Sequence, residues 1–98
     1  MNIAVITGAS SGLGKEYALA VSRLRTDIDE IWLIARRKDK LEEVASNISK
    51  KTRIISLDVT DQNAIEEYKA LLETEKAEVR LLINNAGFGK LDNFDKIS

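Results

Sequence analysis

The sequence predicts an α/β fold built on a doubly wound parallel sheet, and three observations predict it. Four short apolar runs, at residues 3–6, 31–35, 53–57 and 79–83, lack polar alternation, as strands buried on both faces do. Longer stretches with helical spacing of apolar residues separate those runs. A glycine-rich turn joins the first run to the first helical pattern, and no proline interrupts any element.

Taken in order, each element has its own justification. The run at 3–6 is Ile-Ala-Val-Ile, about the length of an average strand. After the glycine turn, Leu13, Tyr17, Ala20, Val21 and Leu24 make a helical stripe expected to face the core. The second run, 31–35, contains Trp32, read as a core or sheet-face residue. Leu41, Val44, Ala45 and Ile48 follow at i, i+3, i+4 and i+7 spacing. The third run, 53–57, leads to Thr60 and Asp61, either of which can cap a helix carrying Ala64, Ile65, Tyr68, Leu71 and Leu72. The fourth run, 79–83, closes the β-α-β-α-β-α-β order. Right-handed crossovers then give a strand order of 3-2-1-4. The first two helices cover one face and the helix at 64–72 stands alone on the other. One helix cannot cover four strands that are apolar on both sides. The sheet is therefore expected to be incomplete, with a bare edge that continuing chain, a partner or a second copy would cover; homo-oligomers are expected on that ground.

The 98 residues make one domain at most, of marginal stability for its size. Hydrophobic residues are 44% and charged residues 32%, with a net charge of −1 and the two signs interspersed. That balance argues against nucleic acid or a membrane surface as partner. There is no cysteine and no histidine, which excludes disulfides, thiolate chemistry, a Cys- or His-ligated metal and a Ser-His-Asp triad. Met1 leads straight into the first apolar run, and no stretch reaches the roughly 18 apolar residues of a membrane span, so a cytoplasmic location is expected.

The sharpest chemical signal is Thr7-Gly8-Ala9-Ser10-Ser11-Gly12-Leu13-Gly14. Glycines serve where the backbone turns tightly and where a phosphate must approach without a Cβ in the way. The helix that follows offers free N–H groups and a positive dipole end to an anion. Ser10 and Ser11 can add hydroxyl donors. A plain Gly/Ser-rich turn would carry the same residue types, but here strand, turn and helix fall where phosphate binding needs them. At the other end of the chain, Asn84-Asn85-Ala86-Gly87 follows the fourth run. In a 3-2-1-4 sheet a dinucleotide crosses between the ends of the first and fourth strands, and Ala86 and Gly87 keep that ledge low. The amides of Asn84 and Asn85 can pin neighbouring backbone, or serve simple turn chemistry.

The spacing TGxxxGxG, the NNAG segment and the Asp58-Val59 pair after the third run together resemble the short-chain dehydrogenase/reductase family. The resemblance covers essentially the whole chain but only the front of the family's usual length. It implies that residues 1–98 form one NAD(P)-binding Rossmann-type domain, with the cofactor held by Gly8, Ser10, Ser11, Gly12, Leu13, Gly14, Asp58, Val59, Asn85, Ala86 and Gly87. Asp58 would lie against the adenine, and Asn84 would have mainly a structural role. The family's chemistry uses a tyrosine and lysine at YxxxK spacing, which this chain lacks: Tyr17 is followed by Val21 and Tyr68 by Leu72 at that spacing. Both tyrosines are expected in the core, and Lys15 is read as an exposed helix position without chemistry. No catalytic residue is assigned.

An NAD-preferring fold presents a carboxylate after its second strand. Here Ala35 is followed by Arg36, Arg37 and Lys38. A guanidinium fork grips a 2′-phosphate, so NADP is the expected cofactor, with Arg36 as main clamp and Arg37 or Lys38 assisting. A solvated basic turn is the plainer reading of the same three residues. The function expected is NADP-dependent hydride transfer on a carbonyl or alcohol by a longer protein, this chain being its cofactor-binding part and inactive alone. The alternative is a non-catalytic NADP-binding module or a subunit completed by a partner. A methyltransferase-like nucleotide fold would need a different glycine pattern and an acid after the second strand.

Overall fold

The computed structural model describes residues 1–58 and 61–85. The elements are strand β1 (Asn2–Thr7), helix α1 (Gly12–Leu24), β2 (Glu30–Ala35), α2 (Lys38–Ala45), β3 (Thr52–Ser56), α3 (Gln62–Thr74) and β4 (Glu78–Asn84). All strand pairs are parallel, and the sheet order is β3-β2-β1-β4, as the crossover rule predicts.

The two central strands are buried on both faces, which is why they carry no polar alternation. Their side chains divide between two cores with a period of two. Ala4, Ile6, Ile31, Leu33 and Ala35 meet Ala18 and Val21 of α1 and Leu41 and Val44 of α2. Ile3, Val5, Trp32 and Ile34 meet Ala64, Ile65, Tyr68 and Leu72 of α3. The edge strands are covered less well, with Ile54, Ile55, Leu81, Leu82 and Ile83 only half-buried. The helices thus cover the sheet unevenly, as the count of one helix on the second face implies.

Side-chain caps explain two helix starts. Ser11 caps α1 by accepting from the Gly14 N–H at 3.0 Å. Asp61, one of the two residues expected to cap α3, does so by accepting from the Asn63 N–H at 2.9 Å. The other, Thr60, lies outside the described residues. Helix α2 ends at Ala45, so Ile48 packs on the first core from the turn beyond the helix.

The stripe expected on α1 is corrected by the structure. Leu13, Tyr17 and Leu24 are 56%, 36% and 76% exposed, and the buried positions are Gly14, Ala18 and Val21. Tyr17 is therefore not a core residue, whereas Tyr68 is. The rotation has a simple cause: Gly14 is pressed against the glycine turn, and that contact sets the phase of the helix. Positions i+4 and i+7 from Gly14 are Ala18 and Val21. Lys15, expected to be exposed, is half-buried.

At the amino ends of the strands, Trp32 is fully buried and its indole N–H donates to the buried Glu30 carboxylate at 2.7 Å. Lys51 and Arg53 approach the same carboxylate at 3.3 and 3.6 Å. Arg53 also lies over the indole, 5.6 Å from its centroid, and pairs with Glu75 at 2.7 Å. This cluster joins β2, β3 and the end of α3 on the side of the sheet away from the glycine turn. Among the described residues, no helix is long and apolar enough to cross a membrane.

Candidate nucleotide-binding site

Because every strand is parallel, Thr7, Ala35, Ser56 and Asn84 end their strands on one side of the sheet, and those predicted site residues that are described gather there. Gly8 leaves β1 with φ 63°, a left-handed conformation that glycine adopts without a Cβ penalty. The turn is held to β2 by the Ala9 N–H, which donates to the Ile34 carbonyl at 3.2 Å. Ser11 folds back on Gly8: its N–H and its hydroxyl donate to the Gly8 carbonyl at 3.2 and 3.0 Å. Its hydroxyl oxygen also receives the Gly14 N–H and, at 2.7 Å, the side-chain amide of Asn85. With one donated and two accepted bonds, that hydroxyl has used its whole capacity in shaping the turn. Ser10 is half-buried, and among the described residues the first-turn N–H groups of Gly12 and Leu13 have no hydrogen-bond acceptor.

The two helix glycines have opposite surroundings. A Cβ on Gly14 would meet the Gly8 carbonyl oxygen at 2.3 Å and Ala9 Cα at 2.8 Å, both backbone atoms. A Cβ on Gly12 would meet nothing within 4 Å. Gly14 thus closes helix on turn, while Gly12 lines open space at a positive helix end. That is the arrangement a pyrophosphate needs.

The start of the NNAG segment locks onto this turn. Asn84 is the register partner of Thr7, whose buried hydroxyl donates to the Asn84 side-chain oxygen at 2.8 Å. The Asn85 N–H donates to the Thr7 carbonyl at 3.2 Å, and its amide reaches the Gly8 carbonyl at 3.1 Å. Both asparagines do pin backbone or a strand-end hydroxyl, as their residue type allows. Val59, Ala86 and Gly87 lie outside the described residues.

Beyond β2, Arg36 and Arg37 are both exposed. The Arg36 carbonyl accepts from the Ser56 hydroxyl at 2.9 Å, which ties this loop to the end of β3. The Arg37 guanidinium donates to Asp39 at 3.0 Å, and that bond holds the Asp39 carboxyl below its ordinary pKa. Among the described residues the Arg36 guanidinium has no ion-pair partner. Asp58 is half-buried just past β3, and its carbonyl starts the turn into α3 by accepting from the Asp61 N–H at 3.0 Å. The partners Ser56 and Asp39 are not assigned by sequence reasoning. A hydroxyl two residues before the acidic pair, and an acid two residues after an arginine, are signals too common to single out.

Fold and turn together define a Rossmann-like α/β protein with a glycine-rich turn at the switch point of its sheet. The short chain dehydrogenase family model matches residues 2–98, and the chain belongs to that family. A very-long-chain 3-oxoacyl-CoA reductase of Lodderomyces elongisporus is 39% identical over 93 residues, or 88% of this chain and 25% of that protein. An NADP-dependent 3-hydroxy acid dehydrogenase of Schizosaccharomyces pombe is 37% identical over 87 residues, 85% of this chain and 33% of that one. Among solved structures, a metagenomic short-chain oxidoreductase in complex with NADP superposes with a TM-score of 0.76 at 29% identity, covering 90% of this chain and 40% of its own. The chain spans between a quarter and a third of the length of these two curated relatives.

Proposed function

We propose that this chain is the NADP(H)-holding part of an oxidoreductase that moves hydride reversibly between a nicotinamide and a carbonyl or secondary alcohol. The observation that carries the reading is the pairing of a filled Gly14 with an open Gly12 at the start of α1. Gly8, Ser10, Gly12, Leu13 and Gly14 would receive the pyrophosphate, with Ser11 and Asn85 holding the turn in shape. Asp58 and Val59 would border the adenine, and Asn85, Ala86 and Gly87 the nicotinamide-side ribose. When bound, the cofactor supplies the hydride; the chain's own residues bind and orient it, and the chain alone is inactive because it has no YxxxK pair. The relatives' printed names favour a 3-oxoacyl-CoA or 3-hydroxy acid substrate for the longer protein.

NADP over NAD rests on Arg36, which stands past β2 where an NAD-selective fold has a carboxylate. Calorimetric titration of the chain with NADP⁺ and NAD⁺, beside an Arg36→Ala variant, tests the reading. Tighter binding of NADP⁺ that weakens at least tenfold in the variant is expected, about the value of one charge-assisted bidentate contact. Equal binding of the two cofactors, unchanged by the variant, would overturn the assignment.

A further inference from the structure

We propose that Asp39 sets the strength of the 2′-phosphate clamp by competing with the phosphate for Arg37. The inference rests on the reading of the loop after β2 as the 2′-phosphate site and names a specificity-determining residue within it. Of the two arginines there, Arg36 has no ion-pair partner among the described residues, whereas Arg37 is committed: its Nη2 donates to Asp39 Oδ2 at 3.0 Å. The commitment is reversible. The two side chains are 66% and 65% exposed, and a pair so open to water is weak and exchanges readily. A 2′-phosphate carries more charge than a carboxylate and offers more acceptor oxygens to a guanidinium fork. It can therefore draw Arg37 away, but each binding event must first break the pair.

Asp39 has a local reason to be there. It lies in the first turn of α2, where a negative charge complements the helix dipole, and the N-cap Arg37 makes no side-chain capping bond. Helix stability and phosphate affinity thus pull on the same carboxylate. NAD, which has a ribose hydroxyl in place of the phosphate, should not register the competition.

The test is a titration of the Asp39→Asn chain with NADP⁺ and NAD⁺. The Kd for NADP⁺ should fall about threefold, the size of one exposed ion pair, with NAD⁺ affinity unchanged as the check on folding. The gain should vanish in the Arg37→Ala/Asp39→Asn double variant, which shows that it runs through Arg37. If Asp39→Asn proves unstable, Asp39→Ser keeps a residue suited to the first helical turn and should give the same shift. An NADP⁺ affinity that is unchanged or weaker, or a gain that persists without Arg37, overturns the proposal. Arg36→Ala separates the two levels. If it weakens NADP⁺ while Asp39→Asn does nothing, only the competition fails. If it too has no effect, the phosphate site itself is misplaced.

Discussion

The side-chain amide of Asn85 donates to the Ser11 hydroxyl at 2.7 Å, joining the residue after β4 to the cap of α1. The same amide reaches the Gly8 carbonyl at 3.1 Å, so one side chain holds both ends of the glycine turn. Asn85→Ala should cost about 1 kcal/mol of stability, the ordinary value of a lost hydrogen bond. Asn85→Asp should cost about 2 kcal/mol, because a carboxylate would face the Gly8 carbonyl oxygen with no proton between them. Urea denaturation of the pair checks the order, and a larger loss for alanine would refute the donor assignment.

The two glycines of α1 separate folding from binding. Gly14→Ala forces a Cβ to within 2.3 Å of the Gly8 carbonyl oxygen, a backbone atom that cannot swing aside. A loss of about 3 kcal/mol is expected, at the upper end of overpacking costs. Gly12→Ala meets nothing within 4 Å and should leave stability unchanged or raise it by up to about 1 kcal/mol through helix propensity. Its NADP⁺ affinity should nevertheless fall by about tenfold, since the new methyl occupies the approach of the phosphate. Thermal melts with calorimetry on both variants would show the contrast. A Gly12→Ala chain that binds NADP⁺ normally would remove Gly12 from the site.

Glu30 gives a control at the far end of the sheet. Its buried carboxylate accepts the Trp32 indole N–H at 2.7 Å and has Lys51 and Arg53 within 3.3 and 3.6 Å. Glu30→Ala strands a buried donor beside two cations and should cost about 3 kcal/mol. Glu30→Gln keeps an acceptor for the indole and should cost about 1 kcal/mol. The ratio of NADP⁺ to NAD⁺ affinity should stay the same in any folded variant, because the cluster lies away from the cofactor loops. Chemical denaturation and cofactor titration together test both statements.

The sheet order was legible because two independent signals agreed: uniformly apolar runs need two covered faces, and right-handed crossovers leave few orders. The apolar stripe of α3 places Tyr68 in the core, and Trp32, legible only as a core or sheet-face residue, is fully buried. The phase of α1 is not legible from the hydrophobic pattern, for a specific reason. Apolar side chains at 13, 17 and 24 suggested the buried face, but the closest contact belongs to Gly14, which has no side chain to weigh in a hydrophobic pattern. The turn itself was legible from its glycines, while the bonds that shape it were only partly so. Ser11 was expected to offer its hydroxyl to the ligand, yet it is surrounded by Gly8, Gly14 and Asn85, and Asn85 lies 74 positions further along the chain. Residue type announces that an asparagine can pin backbone; only the fold says which backbone.

Tyr68 carries the pH prediction. Its ring is buried edge-on to Trp32, with centroids 6.2 Å apart at 78°, and burial pushes its phenol above the ordinary value of 10.0. In the unfolded chain the phenol ionises near that ordinary value, so above about pH 10 the unfolded state holds fewer protons than the folded one. Stability is therefore fully present below that pH and declines as pH rises toward the folded value, by up to about 1.4 kcal/mol per pH unit from this group. Tyr68→Phe keeps the ring and removes the proton. Its denaturation midpoint should fall less between about pH 8 and about pH 11 than that of the parent chain, from which it differs at this one titratable group. Parallel declines would mean that the phenol ionises in the folded state as easily as in the unfolded one, and that the ring is not sealed between α3 and the sheet.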